Sequence, residues 1–182
     1  VHRTLEETEQ ELQASLAGRA ATIWSWDFPA GRLQVAERFL DITGYTREQV
    51  GDPGWPDWDL FHPDDRALIR QQLEAFLQKR RSECDLEVRF RTADGAWRWI
   101  KSHVYGFWDE HARPARLLGS FIDVTGRVEA EFERDRLFNL SIDLLAVSSF
   151  DGYLQQVNPA WVRVLGWSRD DLMGRPIPDF IH

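Results

Sequence analysis

One phrase of this chain is written twice at a domain-sized distance, and that repeat constrains the fold more than any other feature. Gly31-Arg32-Leu33-Gln34 opens a stretch that closes on Gly44-Tyr45-Thr46-Arg47-Glu48-Gln49-Val50. Gly152-Tyr153-Leu154-Gln155 opens another that closes on Gly166-Trp167-Ser168-Arg169-Asp170-Asp171-Leu172. The opening glycines are 121 residues apart and the closing ones 122, so one residue of slip separates the copies. A period this long is that of a small domain and exceeds any solenoid unit. The 182-residue chain is therefore expected to be a tandem array whose second copy stops partway.

Charge narrows the partners. The 22 basic and 30 acidic residues leave a net charge of −8. Nucleic acid and anionic membranes both call for a cationic face, so neither is expected as a partner. No apolar run is long enough to span a bilayer. The acidic, polar start has no signal-peptide character and lacks an initiator Met, so an excised fragment is expected. The single Cys84 excludes an internal disulfide and fits a reducing, cytoplasmic setting. Nine tryptophans call for a core, a pocket or an interface built of rings.

Patterning supplies the elements. Leu5, Leu12 and Leu16 recur near heptad spacing, and Thr4 with Glu7 can form a capping box, which predicts a helix over 1–19. Ile23 to Phe28 and Leu33 to Val35 flank the turn Pro29-Ala30-Gly31 as a hairpin. A short helix from Glu37 ends at Gly44, and Thr46 and Gln49 form a capping box before Val50. After an irregular Pro- and Gly-bearing loop, Pro63 opens the strongest helix. Asp64 and Asp65 suit its positive end, and Ile69, Leu73, Phe76 and Leu77 form its apolar stripe. Three strands follow. Cys84, Leu86, Val88 and Phe90 alternate with charged residues, Ala93-Asp94-Gly95 turns, and Trp97 to Trp108 carries large groups on both faces. Arg113 to Asp123 returns. A charged helix runs to Leu140, and the second copy then opens with strand Leu144 to Phe150, strand Tyr153 to Val157 and helix Pro159 to Leu165.

Five motifs in register carry a resemblance. Trp24-Ser25-Trp26-Asp27, Gly44-Tyr45-Thr46-Arg47-Glu48, Phe61-His62-Pro63-Asp64-Asp65, Asp94-Gly95-Ala96-Trp97-Arg98-Trp99 and Gly119-Ser120-Phe121-Ile122-Asp123-Val124-Thr125 occur in the order found in the PAS family. The chain resembles that family over residues 21–125, and 142–182 resembles the first part of another copy. The resemblance implies an α+β fold with a five-stranded antiparallel sheet in the order 2-1-5-4-3. Short helices and one long helix cover one face, with flanking N- and C-terminal helices. The domain boundaries expected are a helix or linker at 1–19, a complete PAS domain at 20–125, a helical linker at 126–141 and a partial second domain at 142–182.

No catalytic constellation is visible: there is no phosphate-binding glycine loop, no G-x-S-x-G and no H-E-x-x-H. His62 is assigned to the helix start and His103 to the surface. Cys84 does not stand in the setting used by the flavin photoreceptors of the family, so covalent flavin is not expected, nor is haem. The resemblance places a cavity between sheet and helices, with Phe39, Ile42, Trp55, Trp58, Leu73, Phe76, Leu77, Ile100 and Val104 as candidate lining for a small-molecule ligand; core filling is the competing role for these residues. It also makes Asp123 and Thr125 candidates for signal transmission, the alternative being that they cap the exit helix. The function expected is that of a non-catalytic sensory input module of a bacterial histidine kinase or cyclic-di-GMP enzyme. It would pair as a homodimer through its flanking helices and the outer sheet face bearing Trp97, Trp99, Tyr105 and Phe107. The alternative is a ligand-free dimerisation scaffold.

Overall fold

The computed structural model describes residues 21–50, 57–78, 81–173, 176 and 178. The helix expected over 1–19 lies outside the described residues. The chain divides into two units, Val1–Gly126 and Arg127–His182.

In the first unit, β1 (Ala21–Asp27) and β2 (Arg32–Val35) form the hairpin. Its turn is closed by the Asp27 carboxylate accepting the Ala30 N–H at 2.9 Å, and Gly31 takes a φ of 61° that a side chain would resist. Helix α1 (Glu37–Thr43) ends on left-handed Gly44, whose N–H reaches the Leu40 carbonyl. Helix α2 (Arg47–Val50) carries the expected capping box: Thr46 N–H donates to Gln49 Oε1, and Gln49 N–H to Thr46 Oγ1. A 3-10 turn at Trp58–Leu60 leads into α3 (Pro63–Gln78), which buries Ile69 and Phe76 one face apart by two turns. Strands β3 (Glu83–Arg91), β4 (Trp97–Trp108) and β5 (Pro114–Asp123) complete an antiparallel sheet ordered β2-β1-β5-β4-β3. This is the order the motifs implied.

The even positions of β4 and the odd positions of β5 turn toward the helices. Phe39, Val50, Leu60, Phe90, Ile100 and Phe121 form one core cluster there. Phe76, Val104 and Leu117 form a second. Phe90 is the hub of the first, meeting Phe39, Phe61 and Phe121 edge-on at 6.4, 5.7 and 5.4 Å between ring centres. Truncating such a ring to Ala costs about 3–5 kcal/mol.

Helix α4 (Thr125–Leu140) leaves the sheet with none of its residues buried. In the second unit β6 (Ala146–Ser148) pairs with β7 (Leu154–Val157), and α5 (Pro159–Leu165) and α6 (Arg169–Leu172) follow. The one-residue slip of the repeat has a structural cause. In the first unit Trp24 to Asp27 pair with Val35 to Arg32 without interruption. In the second, Val147 pairs with Gln156 and Ser148 with Leu154, so Gln155 bulges out. Strand β6 is also shorter than the seven residues expected from Leu144. At its near end the side chain of buried Asn158 takes over the pairing, its Oδ1 accepting the Leu145 N–H at 3.1 Å and its Nδ2 donating to the Asp143 carbonyl at 2.9 Å, and at its far end the turn closed by the Gly152 N–H on the Ser149 carbonyl begins.

Candidate functional site

The core face of the sheet is lined with indoles lying over glycines. A Cβ built at Gly119 would fall 2.5 Å from two ring carbons of Trp24, and one at Gly106 would collide with Trp108 and Phe76. Trp24 touches both core clusters, and its N–H donates to the Ser102 hydroxyl at 3.2 Å and the Ser120 carbonyl at 3.1 Å. Sequence reasoning kept both indoles out of the candidate lining. The signal for Trp24 was Gly119 itself, since a glycine inside a strand marks a close approach.

The expected lining residues separate into groups. Phe39 and Ile100 are buried in the first cluster, with Ile42 packed beside it. Phe76 and Val104 are buried in the second, with Leu73 and Leu77 packed beside it. Trp58 belongs to neither; it is 37% exposed, with the Arg70 guanidinium 5.0 Å above its ring. Trp55 lies outside the described residues. An open groove of about 280 Å³ is formed at the end of the sheet by Asp41, Ile42, Thr43, Thr92, Asp94 and Arg98, where α1 meets the β3–β4 turn.

Arg98 leads from that groove to the exit junction. Its guanidinium donates to the Asp123 carboxylate at 2.8 Å, and the same carboxylate accepts the Thr125 N–H at 2.9 Å. Burial alone pushes the Asp123 carboxyl up, but hydrogen bonds from Thr125 and Arg98 outweigh it and hold the group below the usual carboxylate range. Thr125 does more than begin a helix. Its hydroxyl accepts the Trp99 N–H at 2.9 Å, while Val124 N–H donates to the Trp99 carbonyl at 2.8 Å. The start of α4 and the residue before it are thus fastened to β4 through both main-chain groups of Trp99. Of the two expected capping groups, Asp123 caps and Thr125 ties.

A second anchor holds α3 to the sheet edge. Asp65 accepts the Arg89 N–H at 2.9 Å and grips its guanidinium at 2.6 and 3.0 Å. Hydrogen bonding from Arg89 is the main cause that holds the Asp65 carboxyl below its usual range. Asp65 is therefore more than a complement to the helix dipole. His62 Nδ1 accepts the Asp64 N–H at 3.3 Å, and its ring meets Trp97 edge-on at 4.9 Å, which gives it the helix-start role. Cys84 is half-buried, and burial pushes its thiol up, away from the thiolate.

The outer face is aromatic as expected. Trp97 is 38% exposed, while Tyr105 and Phe107 pack with Ile23 and Ile122 around buried Ala21 and Leu118. His103 sits on this face with Nδ1 2.7 Å from Asp85 and Nε2 3.4 Å from Glu83. In the second unit, Ser168 and Asp171 form the reciprocal capping box that the repeat implied.

Comparison with known proteins now decides the family. Models of the PAS fold match residues 32–121 and 133–182. A solved sensory box histidine kinase/response regulator from Burkholderia thailandensis is 31% identical, with a TM-score of 0.59, and the match covers 70% of this chain and 97% of that one. The chain belongs to the PAS family. The N-terminal domain of a diguanylate cyclase with a PAS/PAC sensor from Marinobacter aquaeolei superposes with a TM-score of 0.51 at 15% identity, over 59% of this chain and 98% of that one; at that identity it shows the PAS fold alone. The protein y4lL of Sinorhizobium fredii is 28% identical over 131 residues, 71% of this chain. The chain spans 11–15% of the length of the curated relatives it matches. Among the described residues, no helix is long and apolar enough to cross a membrane.

Proposed function

We propose that this chain is the sensory input module of a cytoplasmic bacterial signalling protein whose output is a histidine kinase or a cyclic-di-GMP enzyme. It relays a ligand- or partner-dependent change and carries no catalysis itself. The observation that carries this is the exit junction. Asp123 joins Arg98 to the Thr125 amide, and Thr125 joins the helix start to Trp99. Arg98 faces the core side of β4 and Trp99 the outer side, so a displacement of β4 from either face reaches α4. A likeness to a sensory box histidine kinase/response regulator supports the reading. The domain plan that goes with it is a complete PAS domain at 20–125, a linker at 126–141 and a partial one from 142. In this reading Phe132, Leu137 and Leu140, each more than 60% exposed on α4, meet a second copy of the chain.

The test is made in the full-length protein. Asp123→Ala and Thr125→Ala should each leave the first unit folded while removing stimulus dependence of the output; output that still follows the stimulus would sink the relay.

A second reading is favoured by the indoles. Trp24 and Trp108 occupy the core face where a ligand would lie. A ligand-free dimerisation scaffold would need that filling. Native mass spectrometry of the purified chain separates the two: a co-purifying small molecule supports sensing through the core, and a bare dimer supports the scaffold.

A further inference from the structure

One backbone rung in the middle of the five-stranded sheet has been replaced by side chains. β4 pairs with β5 at Ile100↔Asp123 and Lys101↔Ile122, and resumes at Val104↔Gly119 and Tyr105↔Leu118. Ser102 and His103 lie in the gap, and the register does not shift across it, so His103 stands opposite Ser120. Bonded and non-bonded pairs alternate along an antiparallel ladder. The Val124 N–H donates to the Trp99 carbonyl, which makes Trp99, Lys101, His103 and Tyr105 the bonded positions. The His103 N–H is therefore due at the Ser120 carbonyl. It goes instead to the Ser120 hydroxyl at 2.9 Å. The carbonyl is claimed from the core side by the Ser102 hydroxyl at 2.5 Å and the Trp24 indole N–H at 3.1 Å. Ser102 and Ser120 are both buried, and the ring of Trp24 is the same one that lies over Gly119.

We propose that this rung is a two-position switch that carries a change at the core face through the sheet to its outer face. In the position observed, Trp24 and Ser102 hold the Ser120 carbonyl. In the other, the Trp24 ring has moved off Gly119, the carbonyl returns to the His103 N–H, and the ladder closes. The positions trade one acceptor among three donors and need no refolded strand; the cost of displacing the packed Trp24 ring is what the ligand or partner must supply. Trp24 keeps an acceptor on the way, because the Ser102 oxygen already stands 3.2 Å from its N–H. Closing the rung draws in the backbone of His103, whose ring is set between Asp85 and Glu83 and lies 4.7 Å edge-on from Tyr105. A ligand or partner that displaced Trp24 would thus be felt on the aromatic outer face as well as at the exit helix.

The switch rests on the sensory reading, but its test reads the rung itself and needs no stimulus, so either can fail alone. The probe is the scalar coupling across a hydrogen bond from the His103 amide nitrogen to the Ser120 carbonyl carbon, measured by NMR on this chain. It should be absent in the native chain and appear in Trp24→Phe/Ser102→Ala. If that pair loses the fold, Ser102→Ala alone gives the same readout, since it removes the shorter core-side bond. Ser120→Ala is the converse: without the hydroxyl, the amide must move to the carbonyl and the coupling must appear. A folded variant that lacks the coupling, or a His103 amide that exchanges tenfold faster in Ser120→Ala, would overturn the switch.

Discussion

Replacing Gly119 by Ala tests whether the Trp24 indole fills the centre of the first unit. The new methyl would stand 2.5 Å from two indole carbons and 2.7 Å from the indole nitrogen, inside any real van der Waals contact. Two effects oppose each other. Ala in a strand is better than Gly by about 0.5–1 kcal/mol, because Gly loses more freedom on folding. Overpacking a filled core costs about 1–3 kcal/mol. The indole has little room to yield, since it is tethered to Ser102 and Ser120 and wedged between both clusters. The clash therefore wins, leaving a net loss of about 1–2 kcal/mol. For a unit of about 100 residues that lowers the melting temperature by about 4–16 °C. Thermal unfolding followed by tryptophan fluorescence reads it. Two companions sharpen the result. Gly126→Ala, where a Cβ would meet nothing within 4 Å, should be stabilising by up to about 1 kcal/mol. Adding Trp24→Phe to Gly119→Ala should make the alanine less costly than it is alone, a non-additivity expected only of residues in contact. A Gly119→Ala protein as stable as the parent, or strict additivity with Trp24→Phe, would refute the packing argument.

Acid should unfold the first unit through its two anchors. Asp65 and Asp123 both have carboxyls held below the usual range, so the stability they add is present above the unfolded-state pKa and is lost as pH falls through their lower folded values. Denaturant titrations should show a plateau above about pH 5 and a decline below about pH 4 that Arg89→Met makes shallower; an unchanged slope in that variant would remove Asp65 from the account. Ser168→Ala should cost about 1 kcal/mol of the stability of the second unit, because it breaks the reciprocal cap at α6, and amide exchange at Asp171 reports it directly. The peptide 142–182 should not fold by itself, since Phe150, Val164 and Trp167 stand exposed and about 40 residues bury too little; sharp, dispersed NMR lines from the monomeric peptide would contradict this.

Local signals made the architecture legible. The capping residues Thr46, Gln49, Ser168 and Asp171, the glycines at 44 and 166, and the alternation of Cys84 to Phe90 each act within a few residues, and they behaved as their chemistry dictates. Contacts made across the sheet were harder to see. Asp65 and Arg89 are 24 residues apart, and the helix dipole was a sufficient local reason for Asp65 until the fold brought the guanidinium to it. Thr125 is a transmission candidate by resemblance with capping as the alternative, and its bond to Trp99 is not visible locally because the two are 26 residues apart. Asn158 takes over the pairing at the near end of β6 through bonds to residues more than ten positions away. The slip in the repeat was visible in the sequence, but its meaning as a bulge at Gln155 required the register. The candidate lining follows from the cavity that the resemblance implies, and nothing near Phe39 or Phe76 in the sequence tells that Trp24, far from both along the chain, packs against the clusters they belong to.

The central claim is that the sheet and the exit helix move together through Asp123 and Thr125. A double-mutant cycle on amide exchange tests it most directly. Exchange at Glu129 and Ala130, in the first turns of α4, is measured in the parent, Trp24→Phe, Thr125→Val and the double variant. With the junction intact, disturbing Trp24 should change exchange there by about threefold or more, a coupling of about 0.6 kcal/mol. With Thr125→Val the same disturbance should stop at β4 and leave the helix unchanged. An equal effect of Trp24→Phe in both backgrounds, or none in the parent, would contradict the relay.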